Sequence, residues 1–242
     1  DDGTLEVSGF WARDETVSAE ITKNLFYQLL WSLGGEIMNE DKTEVVYNSE
    51  AGVQALQLYI DLINSGVYDI GFGAGTTGGE QPFFRDQAAM LMAGPFDLVF
   101  IDEFRPDMNF GVTVLPAPEG GSPAPLIDSF ALFQMAGSEN QDGACEFVKY
   151  AATPEAQTQF ALLSRRLPAH VGAVQAPEFQ DDPVLNVFTE ALNQGRALPI
   201  IPEWAEMEAA LLPEIQMALT GNKSAQEALD AAAEKVNSRV LR

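Results

Sequence analysis

One histidine, one cysteine and 36 acidic residues bound the chemistry open to this chain of 242 residues. A Ser-His-Asp triad would have to use His170, in "RRLPAHVG", and no Gly-x-Ser-x-Gly elbow precedes a helix. His170 therefore reads as a loop residue rather than a catalyst. A metal site built on two histidines is impossible, and Cys145 alone can form neither an internal disulfide nor a cysteine cluster. Within "GACEFVKYAA" it reads as a small buried hydrophobe beside Phe147 and Val148. Paired carboxylates could hydrolyse glycosides, but among 36 acidic residues such pairs arise by chance. The run "GFGAGTTGG" (71–79) lacks the Gly-Lys-Ser/Thr ending of a phosphate loop, so it reads as surface loop.

Aromatic residues carry more information. Phe10-Trp11, Tyr27, Trp31, Phe96 and Trp204 stand near element ends or beside Gly and Pro, where rings can face a cleft. A flat ring stacks on the C–H face of a sugar, while Asp, Glu or Asn accept its hydroxyl protons. Phe96–Asp97 and Glu203–Trp204 have that composition. Trp31 and Phe26, on a helix face, read as core instead.

Thirteen basic residues against 36 acidic ones give a net charge of −23. That lies well beyond the roughly 2–8 that suits a small soluble domain. Such a surface repels phosphate backbones and anionic headgroups, which argues against nucleic acid as a partner. A high-salt habitat or an exported life would each tolerate it. No run of 18 apolar residues marks a membrane span. The opening "DDGTLEV" reads as a point inside a longer protein, with no signal peptide before it.

The elements that must position the rings follow from periodicity. "TLEVSGF" (4–10) predicts a short strand. Ile21, Leu25, Leu29 and Leu33 recur every four residues and predict a helix closed by Gly34-Gly35. "VYNSEAGVQALQLYIDLINSG" predicts a second helix, capped by Asn48 or Ser49, burying Val53, Leu56, Ile60 and Ile63, and stopped at Gly66. "FFRDQ" reads as a short helix before "AAMLMA", a strand apolar at every position and therefore expected to be buried on both faces. "NFGVTVLP" (109–116) and "SFALFQM" (129–135) read as further strands. Ser138 with Gln141, Thr153-Pro154, Asp182-Pro183 and Ser224 with Glu227 are helix starts. Leu229, Ala232, Ala233, Val236 and Val240 form the buried face of the last helix. "VLPAPEGGSPAP" (114–125) is the best linker or crossover. This alternation without hairpin signals predicts an α/β fold with a mostly parallel sheet flanked by helices.

Taken in order, six stretches resemble the extracellular solute-binding proteins of ABC importers, in the cluster of the maltose-binding protein. They are "LLWSLGGEI", "NSEAGVQALQLYIDLINSG", "FFRDQAAMLMAGPFDL", "NFGVTVLPAPEGG", "CEFVKYAATPEAQTQFALLSRRLPAH" and "IPEWAEMEAALLPEIQMALTGNKSAQEALDAAAEKVN". The resemblance covers nearly all of 20–240. It implies a periplasmic-binding-protein-like (type II) fold, two lobes closing on a ligand, and an extracytoplasmic location, periplasmic or lipid-anchored. It implies a receptor that captures a mono- or oligosaccharide and hands it to an ABC permease, with no catalytic residue, metal or cofactor. By that standard the first part of the N-terminal lobe precedes "DDGTLEV". Residues 1–117 and 168–242 would form the C-terminal lobe, and 118–167 would cross into the N-terminal one. Either 118–167 repacks, or the missing lobe or a partner chain covers its apolar face.

The resemblance also nominates ligand contacts. The Gly-Pro-aromatic loop places Gly94 and Phe96 at the cleft, with phenylalanine where the family usually has tryptophan; Asp97 follows. Asn24 and Tyr27 fall near cleft positions of the first helix. Asp128 and Ser129, in "IDSF", stand where the family often has glycine and would accept hydroxyls. Glu203 and Trp204 match a segment near the returning hinge, and Trp11 ends the first strand. Two other readings stay open: a receptor of this fold for a peptide, polyamine or metal complex, and a carboxylate-pair glycosidase.

Overall fold

The computed structural model describes residues 7–12 and 25–241. In chain order the elements are α1 (Tyr27–Ser32), α2 (Glu50–Asn64), α3 (Leu98–Phe104), β1 (Leu126–Ile127), α4 (Gln141–Ala151) and α5 (Pro154–Ser164). There follow α6 (Val171–Val174), α7 (Pro177–Gln180), α8 (Pro183–Gln194), β2 (Arg196–Ala197), α9 (Trp204–Leu219) and α10 (Ala225–Arg239). They fall into two units. One takes residues up to Met92, Leu115–Ile127 and Gln194–Arg242; the other takes Ala93–Val114 and Asp128–Asn193.

The first unit is a helical core carrying short parallel pairings. α1 ends because Gly34 adopts φ +78°, a conformation that costs glycine little. Its N–H then donates to the Trp31 carbonyl, and that of Gly35 to Leu30, both at 2.9 Å. α2 starts where the Ser49 hydroxyl accepts from Gly52 N–H. α10 starts on a reciprocal cap: Ser224 Oγ accepts from Glu227 N–H at 3.2 Å, and Glu227 Oε2 from Ser224 N–H at 2.9 Å. α1, α2, α9 and α10 bury one continuous core that includes Phe26, Leu30, Leu56, Tyr59, Leu211, Ile215, Leu229 and Val236. Each such side chain contributes about 1.5–3 kcal/mol. Asn237 of α10 accepts from Val45 N–H at 2.8 Å, holding the last helix to the approach of α2. β1 and β2 pair in parallel, Leu126 opposite Arg196 and Ile127 opposite Ala197. Single parallel bridges join Ser8 to Ala88 and Trp11 to Leu91.

The second unit is helical in its described residues and thinly cored: Leu98, Ile101, Ala161, Ala173, Phe179 and Leu185 are buried. Thr153 caps α5 ahead of Pro154, and Asp182 Oδ1 accepts from Val184 and Leu185 N–H at the start of α8. Arg165 grips Asp102 through two nitrogens and also reaches Asp182, tying α3 to the approach of α8. Phe130, Leu132, Phe133, Met135, Phe147, Tyr150, Phe160 and Leu163 are exposed.

Several expectations need correction. "AAMLMA" is not a strand buried on both faces; it makes two bridges, and Met90 is 55% exposed. Among the described residues only 8–11 lie beside it, so one edge has no partner. "NFGVTVLP" and "SFALFQM" form no strand, because no described segment offers them a ladder. The buried face of α2 is Gly52, Ala55, Leu56 and Tyr59, with Val53, Ile60 and Ile63 half-buried at its margin. Asn140, not Ser138, caps α4, accepting from Gly143 N–H at 2.9 Å. Cys145 is only half-buried and Phe147 is exposed, since α4 packs through one narrow side. The first expected strand is described only from Val7, and the stripe from Ile21 to Asn24 lies outside the described residues. His170 is the exposed loop residue expected; its Nδ1 accepts from Gly172 N–H at 3.0 Å.

Candidate functional site

The first unit gathers three aromatic rings. Tyr27 and Trp31 are one helical turn apart on α1 and so share a face. Their rings lie 6.1 Å apart and near parallel. α9 opens on Trp204, whose ring stands 5.9 Å from that of Tyr27. One turn later on the same helix, the buried Glu208 accepts the Tyr27 hydroxyl proton. Burial, and then the Glu208 carboxyl, push the Tyr27 phenol well above its usual pKa. Arg196 on β2 holds its guanidinium carbon 5.2 Å from the Trp31 ring and forks onto Glu36 at 3.0 and 2.6 Å. Tyr27 and Trp31 are buried, whereas Trp204 and the Glu203 before it keep part of their surface. Of the three rings, Trp204 alone keeps part of its surface exposed.

The second unit builds a different arrangement from the Gly-Pro-Phe-Asp stretch. Pro95–Asp97 makes a single tight turn leading into α3. Asp97 points inward at 2% exposure and accepts from Gly94 N–H at 3.1 Å, so its carboxylate holds the turn. A β-carbon at residue 94 would lie 2.2 Å from Phe96 Cε1, which is why glycine stands there: the ring folds back over its own backbone. Phe96 is half-buried. Arg166 places its guanidinium carbon 5.1 Å from the Phe96 ring centre and 4.6 Å from that of Phe130, which is 85% exposed. Asp128 and Ser129, both exposed, immediately precede Phe130, and Asp128 Oδ1 accepts from Ser129 N–H at 2.8 Å.

Of the residues nominated from sequence, Tyr27, Glu203 and Trp204 meet in one unit. Gly94, Phe96 and Asp97 form a turn in the other, where Asp128 and Ser129 lead into Phe130. Trp11 is buried, and its indole N–H donates to the Phe72 carbonyl at 2.7 Å, anchoring the glycine-rich loop. Asn24 lies outside the described residues. Sequence reasoning did not nominate Glu208, Arg196, Arg166 or Phe130. The four-residue spacing of Trp204 and Glu208 was a usable signal for the first; the others depend on chain segments far apart. No group of three or more His, Cys, Asp or Glu among the described residues could hold a metal ion. No helix there is long and apolar enough to cross a membrane.

Parallel pairing, flanking helices and a chain that passes repeatedly between two units define the periplasmic solute-binding fold. The chain belongs to the bacterial extracellular solute-binding protein family, whose model matches residues 16–158. A binding protein of Brucella abortus is 24% identical over 233 residues, 95% of this chain and 55% of that one. The sn-glycerol-3-phosphate-binding periplasmic protein of Pectobacterium atrosepticum is 25% identical over 218 residues, 84% of this chain and 48% of that one. Among solved structures, the cyclic α-maltosyl-1,6-maltose binding protein from Arthrobacter globiformis superposes with a TM-score of 0.75 at 26% identity, covering 97% of this chain and 60% of that one. The chain thus spans about half the length of the curated relatives it matches.

Proposed function

We propose that this chain belongs to a non-enzymatic receptor that captures a carbohydrate outside the cytoplasm and delivers it to an ABC transporter permease. The observation that carries the reading is the family match over residues 16–158. The accessible rings support it: Phe96 and Trp204 each stand at the start of a helix with part of their surface open. Stacking on a ring contributes roughly 0.5–1.5 kcal/mol beyond area burial, so several rings and hydroxyl acceptors are needed for useful affinity. Ligand would shift an existing balance between open and closed forms by touching both lobes. Asn24, Tyr27, Gly94, Asp97, Asp128, Ser129 and Glu203 would line or support the ligand, with Trp11 holding the loop behind it. The exposed apolar side chains from Leu132 to Leu163 would be covered by the remainder of the N-terminal lobe or by a partner chain. In this reading residues 118–167 serve that lobe, and 1–117 and 168–242 the other. The protein would work in the periplasm or anchored at the cell surface.

Isothermal calorimetry of the full-length chain against mono- and oligosaccharides tests the proposal. Micromolar or tighter binding of at least one sugar, without turnover of it, is the expected result. Sugars bound no tighter than millimolar, or release of product from a chromogenic glycoside, would overturn it.

A further inference from the structure

Arg166 is a half-buried arginine set against two rings rather than a carboxylate. With 36 acidic residues against 13 basic ones, arginines readily find carboxylates. Arg85 pairs with Glu80, Arg165 with Asp102 and Asp182, and Arg196 with Glu36. Arg166 stands next to Arg165 in the chain, yet makes no ion pair or hydrogen bond among the described residues. Its guanidinium lies against two rings, Phe96 at 5.1 Å and Phe130 at 4.6 Å. Rings attract a cation but supply no lone pair. The five N–H donors of the guanidinium are therefore left to water or to a ligand.

The neighbouring carboxylates do not fill that role. Asp102 and Asp182 are engaged by Arg165. Asp97 is turned into the protein onto Gly94 N–H. Asp128, two residues before Phe130, is exposed and takes its own Ser129 N–H. What remains is a planar cation held between two rings. A guanidinium matches the paired oxygens of a phosphate or carboxylate better than a lone sugar hydroxyl, and the rings offer apolar faces to a carbon skeleton.

We infer that Arg166, between Phe96 and Phe130, reads an anionic group, so that the solute is a sugar or polyol carrying a phosphate or carboxylate rather than a neutral sugar. This inference rests on the solute-binding reading and refines its substrate class. The acidic surface makes the discrimination sharper: an anion must overcome long-range repulsion, so its affinity depends on this one local cation.

Calorimetry of the full-length chain with matched pairs tests it: glycerol 3-phosphate against glycerol, glucose 6-phosphate against glucose, and glucuronate against glucose. The expected result is at least tenfold tighter binding of one anionic member than of its neutral counterpart. Arg166→Gln should reduce that affinity about ten- to a hundredfold, the range for hydrogen bonds to a charged group, while leaving Tm unchanged. Arg166→Lys keeps the charge without the fork and should recover part of the loss. Phosphate-bearing and carboxylate-bearing probes separate the two anion types. Equal or tighter binding of the neutral members would overturn the anionic assignment while leaving the carbohydrate receptor intact. An anion preference that survives in Arg166→Gln would remove Arg166 from the role. Failure of every probe, charged and neutral, would overturn both readings.

Discussion

Replacing Tyr27 and Tyr47 by phenylalanine, one at a time, should change stability in opposite directions. Both phenols are fully buried in the core of the first unit, and both lie in the field of Glu208. Tyr27 donates to that carboxyl, whereas the Tyr47 hydroxyl is buried with no partner. Losing a net-favourable buried hydrogen bond costs about 1–2 kcal/mol, and removing an unpaired buried hydroxyl returns about the same desolvation cost. For a chain of this size, 1 kcal/mol moves Tm by roughly 2–4 °C. Tyr27→Phe should therefore lower Tm by about 2–8 °C, and Tyr47→Phe should raise it by a comparable amount. Urea titrations at pH 7 with an unchanged m-value would check that two-state unfolding is preserved. The alkaline limb gives a second readout. Both folded pKa values are raised, so the contribution of these phenols is complete below about pH 10, where the unfolded phenols still hold their protons. It is lost progressively as pH rises through the folded values, with a slope of at most about 1.4 kcal/mol per pH unit per phenol. Tyr47→Phe should flatten that slope. The reasoning fails if Tyr47→Phe destabilises as much as Tyr27→Phe, because the Tyr47 hydroxyl would then have an acceptor. It fails also if Tyr27→Phe weakens solute binding at unchanged stability, because that hydroxyl would then face ligand rather than Glu208.

Three other outcomes follow from the same structure. Phe96→Ala should weaken solute binding about two- to tenfold, the equivalent of one stacked ring, while Tm stays close to wild type; a large fall in Tm would assign Phe96 to the core. Ser224→Ala removes the α10 cap and should cost about 1 kcal/mol in urea unfolding. Because the Ser224 N–H and hydroxyl lower the Glu227 pKa, the wild-type contribution of that carboxylate is present above its unfolded pKa and fades as pH falls through the folded one; the substituted chain should show less of this acid-side loss. The 242-residue chain should enhance the fluorescence of an apolar dye through its exposed Phe133 and Leu163, and substituting both by serine should reduce that signal; an unaltered signal would place the dye elsewhere.

Helix ends were the most legible feature of the sequence. Gly34, Ser49, Thr153-Pro154, Asp182-Pro183 and Ser224 with Glu227 all act as their types predict, because capping is satisfied within a few residues. The extended stretches were less legible. "AAMLMA", "NFGVTVLP" and "SFALFQM" have strand composition, but a strand exists only where a second segment supplies the ladder, and their composition does not say which segment that is. The site divides in the same way. Phe96 and Trp204 were marked by their neighbours Gly-Pro and Pro-Glu. Arg166 is indistinguishable from Arg165 in the run "SRRLP", and only contacts with distant segments give Arg165 its carboxylates and leave Arg166 between rings.

The discontinuity of the two units also has a consequence during synthesis. The core around α1 and α2 is closed by α9 and α10, and the bond from Val45 to Asn237 spans 192 residues. A nascent chain emerging from its N-terminal end would have to hold the apolar faces of Tyr27–Ser32 and Glu50–Asn64 open until its last helix is translated. The second unit, by contrast, has all of its residues translated by Asn193. The segments of the first unit would thus stay unpacked for most of synthesis, the state in which a polypeptide can be passed through a narrow translocation pore.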